Sequence, residues 1–158
     1  MKQLRFLAFV FLALSNTHLF AQTTPARLTA IEDSVIQAAK WIESTDLDKE
    51  TGKRKEINSI VLKWYIDSIS LNISLVEKLS ELNEGNPELL MAFFAGYSRY
   101  YLENKKTVAK PAATRAGLIS VMNVYQKGIA VTKSSGIDNL VELHRQNKLD
   151  DYIKSNFE

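Results

Sequence analysis

Beyond residue 21 the chain carries one histidine, His144, and it has no cysteine at any position. A nucleophile activated by imidazole would have to rest on His144, while a thiolate metal site, a disulfide and an acylated cysteine are all excluded. Spacing sets His144 on or beside the apolar stripe of a short helix with Ile137, Leu140 and Val141, where a partly buried structural histidine is expected. Hydrolysis by paired carboxylates needs two acids held across a cleft; Asp67, Glu77, Glu88 and Glu103 are candidates, and spacing alone pairs no two of them. Asp46, Asp48, Glu50 and Gly52 approach the alternation of a calcium loop. The glycine falls one place late and Ile57 stands where a bidentate glutamate should close the loop, so a solvated charged loop is expected and no metal is assigned.

Gly96-Tyr97-Ser98-Arg99-Tyr100 touches the nucleophile-elbow pattern but lacks its second glycine and a preceding strand. It reads as a helix interior in which Gly96 lets a neighbouring helix come close, at a cost of roughly 1 kcal/mol against alanine. Asn72-Ile73-Ser74 matches a glycosylation sequon, but Ser74 and Glu77 are better used as a capping box. Phe93, Phe94, Tyr97, Tyr100 and Tyr101 recur at helical spacing. Core packing is the default use of such a row; a ligand pocket or partner groove with tyrosine hydroxyls as polar handles is the functional one. Lys105, Lys106, Lys110 and Arg115 follow as a local basic cluster whose default reading is a solvated loop and whose functional reading is a docking place for an acidic partner or anionic ligand. The candidate surface is thus Phe93, Phe94, Tyr97, Tyr100, Tyr101, Lys105 and Lys106, with no catalytic residue, metal or cofactor assigned.

The elements that must position these residues are helical. Thr24-Pro25 opens a helix to about Ile42, with Leu28, Ile31, Val35, Ala39 and Ile42 on one stripe, and Ser44–Glu56 is expected to be a charged surface loop. Ile57, Ile60, Val61, Trp64 and Tyr65, widened by Leu62 and Ile66, predict a second helix gripped on more than one side. Ser68 to Leu75 alternates polar and apolar residues, a strand period without a partner, and is expected to be an extended connector to a short helix ending at Leu82. Asn86-Pro87 caps the aromatic helix, Asn104–Lys110 is a loop, and Pro111 restarts a helix expected to end near Ser134-Ser135-Gly136. Two short helices around Leu140 and Ile153 complete an all-α, single-domain bundle of about five to seven helices with one extended connector.

Lys2 and Arg5, the apolar run Phe6–Leu14 and the more polar stretch to Ala21 read as a signal peptide spanning residues 1–21, followed by one α-helical domain over 22–158. Cleavage after Ser15 is the alternative to Ala21. The apolar run falls short of the roughly 20 residues a membrane span requires, so no stable anchor is expected after cleavage. Lys2 and Arg5 are the only charged residues of that segment, so the 20 basic groups of the chain fall to 18 and balance its 18 acidic ones. A neutral domain exerts no general pull on nucleic acid, and none is expected as a partner.

Trp41-Ile42, Leu62-Lys63-Trp64, Asn86-Pro87-Glu88-Leu89-Leu90, Phe94-Ala95-Gly96-Tyr97, and Gly136 through Asn147-Lys148-Leu149-Asp150-Asp151-Tyr152-Ile153 together resemble a group of small exported helical proteins of Bacteroidetes-type bacteria. The resemblance implies export and a helical fold and carries over no catalytic residue. The functional expectation is a non-enzymatic periplasmic or secreted protein that binds a protein or small ligand. A carboxylate-based envelope hydrolase and an immunity or inhibitor protein against a toxin stand as alternatives.

Overall fold

The computed structural model describes residues 25–69, 73–104 and 106–157, and these form a single helical bundle with no strand among them. Seven helices follow in order among the described residues: α1 Pro25–Ser44, α2 Thr51–Ile69, α3 Ile73–Leu82, α4 Glu88–Glu103, α5 Lys110–Gln126, α6 Ser135–Arg145 and α7 Leu149–Phe157. The expected signal peptide lies outside the described residues.

Helix α4 is the centre of the bundle. It packs most extensively on α5, then on α1 and α2, and every residue from Ala92 to Ser98 is buried. Burial on all sides demands close neighbours, and two glycines provide the closest approach. A Cβ at Gly96 would stand 2.5 Å from the Cβ of Ser120 and 2.7 Å from the carbonyl oxygen of Ala116; one at Gly117 would stand 2.7 Å from the ring of Phe93. Gly96 therefore serves the packing role its place in the sequence suggested, with α5 as the neighbour.

The charged stretch after α1 is shorter as a loop than expected, because α2 begins at Thr51. The reason is Arg54. It stands three residues before Ile57 and seven before Val61, at a stripe position where an apolar side chain is the rule, and it is buried. Its guanidinium donates to the carbonyls of Thr45 (3.0 Å) and Asp46 (2.7 Å) and lies 5.0 Å from the ring of Trp41. Lys127 donates to the carbonyls of Glu43 (2.8 Å) and Ser44 (2.9 Å). Two cations from elsewhere in the chain thus gather on carbonyls at and just beyond the negative end of α1. The acidic residues of this loop gather no metal-binding cluster among the described residues.

Further expectations are corrected. Ser68 and Ile69 continue α2 while Ile73 to Leu75 already belong to α3, so no extended connector exists outside residues 70–72, which are not among those described. Ser74 lies within α3. Alternation without a partner strand satisfies no backbone groups, whereas helix satisfies them internally. Asn86 caps no helix with its side chain; its amide is spent across the fold, accepting from the Thr132 N–H (2.6 Å) and donating to the Thr132 carbonyl (2.8 Å), which ties the α3–α4 turn to the α5–α6 loop. Helix α5 ends at Gln126 rather than near Gly136, stopped at Gly128 with φ +68°, and Ser134 caps α6 by accepting from the Ile137 N–H. His144 is exposed on the last turn of α6 and is not a partly buried histidine.

Candidate functional site

The aromatic row of α4 turns mainly inward. Phe93, Phe94 and Tyr97 are fully buried in the core, so they offer no surface to a partner. Tyr100 and Tyr101 are half-buried, Lys106 is exposed, and Lys105 is outside the described residues. Tyr65 of α2 nests among these rings, with centroids 4.6 Å from Phe94 and 5.3 Å from Tyr97 in tilted and edge geometries typical of aromatic cores. Burial pushes the hydroxyls of Tyr65 and Tyr97 to higher pKa, and each is pushed further by its tyrosine neighbour, Tyr97 for the first and Tyr101 for the second.

From Tyr97 the aromatic chain continues outward through Tyr101 (6.5 Å, stacked) to Trp64 (6.3 Å). Trp64 forms part of the wall of a groove of about 520 Å³. Ile31 and Glu32 of α1 line one side, Ile60, Lys63, Asp67 and Ser68 of α2 the other, and Lys106 reaches in from the α4–α5 loop. The apolar stripe of α2 is wider than the bundle covers. Helix α2 is gripped by both α1 and α4, yet Ile60 (44 % exposed) and Ile66 (45 %) remain in solvent, as does Ile31 (41 %) at the start of the α1 stripe. Ile60, Lys63, Trp64 and Asp67 follow the i, i+3, i+4, i+7 spacing that puts them on one helical face.

Two opposite-charge pairs rim this apolar cleft. Lys63 bonds Asp67 at 2.8 Å along α2, and the hydrogen bond followed by the charge of Asp67 raises the Lys63 ammonium above its ordinary pKa. Lys106 bonds Glu32 at 2.5 Å, tying the α4–α5 loop to α1. Both pairs lie at the surface, so solvent and salt screen them and each can open to a competing charged group. The volume falls in the range of small-molecule sites, roughly 300–1,000 Å³, and an apolar wall with a few polar groups at its edge is their usual chemistry.

The four candidate acids do not converge. Asp67 pairs with Lys63, Glu88 accepts from Asn58, Glu103 pairs with Lys40 and Arg99, and Glu77 is exposed on α3; no two of them share a partner. Among the described residues of the candidate surface read from the sequence, only Lys106 lines the groove, with Tyr101 behind its tryptophan wall.

Comparison of the chain with family models, with curated proteins and with solved structures finds no match. Nor is any helix among the described residues long and apolar enough to cross a membrane.

Proposed function

We propose that this chain is a non-enzymatic exported binding protein that holds a single-chain amphiphile with a zwitterionic head in the α1–α2 groove. The export reading rests on the basic start, apolar run and small-residue end of the first 21 residues. The observation that carries the binding reading is the groove itself: Ile31, Ile60 and Trp64 supply an apolar wall for a hydrocarbon chain. Its rim offers Lys63 and Lys106 to an anionic group and Glu32 and Asp67 to a cationic one. Balanced charge on the rim matches a head carrying both signs better than a head carrying one, because each ligand charge then replaces the partner it displaces.

Native mass spectrometry of the purified chain mixed with dodecylphosphocholine, dodecyl sulfate or dodecyl maltoside, each below its micelle concentration, tests the reading. Retention of one dodecylphosphocholine in preference to the anionic and neutral probes, with loss of that adduct in Ile60→Asp, is the expected result. Equal retention of all three, or an undiminished adduct in the variant, rejects it.

A further inference from the structure

A second site is carried by a different observation, at the turn between α3 and α4. Asn83 is buried, at 3 % exposure, and neither its Oδ1 nor its Nδ2 has a hydrogen-bond partner. Buried side-chain amides are normally satisfied, and one with both ends unpaired is a costly group that a packed core does not keep without cause. The backbone around it is settled: the Asn83 N–H donates to the Leu79 carbonyl (2.9 Å) and its own carbonyl accepts from the Asn86 N–H (2.7 Å). The turn is also held from outside by the two Asn86 bonds to Thr132, so local slack does not account for the orphaned amide.

Asn83 lines a cavity of about 230 Å³ with Ser80, Glu84, Gly85, Pro87 and Leu90. Its amide offers one acceptor and two donors. Because it makes no bonds, turning it toward an occupant breaks none. The group that satisfies both ends at once presents an N–H to Oδ1 and a C=O to Nδ2 side by side, as a primary carboxamide does with its own two atoms and as one residue of an extended peptide does with its N–H and C=O, the same bidentate logic by which asparagine reads a donor–acceptor edge. Pro87 and Leu90 give an apolar wall for a short side chain beside that amide, and the carboxylate of Glu84 and hydroxyl of Ser80 stand with it as further polar groups. We infer that the α3–α4 turn is a binding site for an amide N–H and C=O presented side by side, held bidentately by Asn83 with the apolar substituent next to them against Pro87 and Leu90. The pair belongs either to one residue of an extended peptide or to a free primary carboxamide, and the probes below separate these.

Nitrogen–proton correlation spectra of the purified chain follow the Asn83 side-chain NH2 signals, assigned by their disappearance in Asn83→Leu. N-acetylalanine methylamide represents the peptide backbone, propionamide the free primary amide, and methyl acetate serves as the control that lacks an N–H. Small probes of this kind bind with dissociation constants on the order of millimolar. A saturable shift of the Asn83 signals with one or both amides but not with the ester is expected, and which amide shifts them names the source. Binding, followed on neighbouring backbone signals, weakens at least about tenfold in Asn83→Leu. Should that variant fail to fold, Asn83→Asp, which replaces the donor by an acceptor and also removes the NH2 signals, supports the same comparison. No shift with either amide, an equal shift with the ester, undiminished binding in the folded variant, or a crystal structure grown with the amide that places only water against Asn83 overturns the inference. The measurement does not involve the α1–α2 groove, so its failure leaves the amphiphile reading standing.

Discussion

Replacing Gly96 by alanine separates two opposing effects that the structure allows to be weighed. Alanine is the better helix former by roughly 1 kcal/mol in a helix interior. Against that, the new methyl carbon meets the Ser120 Cβ at 2.5 Å, the Ala116 carbonyl oxygen at 2.7 Å and the Gly117 Cα at 3.2 Å. Two of these neighbours are backbone atoms that no rotamer change can move, so α4 and α5 must separate along the most extensive contact of the bundle. Overpacking a core costs typically about 1–3 kcal/mol, and immovable neighbours put this site at the upper end. The net expectation is destabilisation by about 2 kcal/mol, or a drop in Tm of roughly 6–10 °C for a domain of this size. Gly52, a helical glycine of α2 with nothing within 4 Å of an added Cβ, is the internal control. There Gly52→Ala meets no clash and gains ~0.5 kcal/mol. Urea denaturation of both variants, followed by circular dichroism, gives the two signs. If Gly96→Ala matches or exceeds the stability of the parent, the close α4–α5 crossing is wrong.

Two further perturbations follow from the same packing. Arg54→Ala removes both charge-assisted bonds beyond the end of α1 and leaves the Thr45 carbonyl unpaired, while the Asp46 carbonyl keeps its bond from the Lys49 N–H, costing about 2 kcal/mol by denaturant titration; Arg54→Lys, which lacks the planar fork, recovers only part of the loss. Burial holds the phenols of Tyr65 and Tyr97 neutral to higher pH than in the unfolded chain. The stability this confers is complete below about pH 10 and declines above it as unfolded tyrosines ionise first, by ~1.4 kcal/mol per pH unit for each buried tyrosine. Denaturation midpoints measured through that alkaline range should fall less steeply in Tyr65→Phe than in the parent, and an unchanged slope removes Tyr65 from the account.

The all-α class and the inward stripes Val35–Ala39–Ile42 and Leu140–Val141 were legible because helical periodicity is a local property of the chain. Arg54 was not, since its charge marked it as solvent until its partners, the end carbonyls of the preceding helix, were known. Asn86 misled in a similar way: Asn-Pro before a helix fits a cap, but its amide bonds residues 46 places along the chain, which no local pattern reveals. The aromatic row drew attention because aromatic side chains serve cores and ligand sites alike. Its place at the centre of the bundle decides for the core, while the groove arises from Ile31, Ile60 and Trp64 on stripes the sequence did show but assigned to the interior. What separates a covered stripe from an uncovered one is the arrangement of neighbouring helices, a tertiary property.

The most direct test of the binding account uses Trp64 as its own reporter. In a Trp41→Phe background Trp64 is the sole tryptophan, and it stands on the groove wall. Trp64 is already buried, at 7 % exposure, so titration with dodecylphosphocholine below its micelle concentration is predicted to give a saturable change in the intensity of Trp64 emission with one-site stoichiometry, and Ile60→Asp is predicted to abolish it. Emission that stays constant through the titration, or that changes equally in the Ile60→Asp variant, contradicts the account.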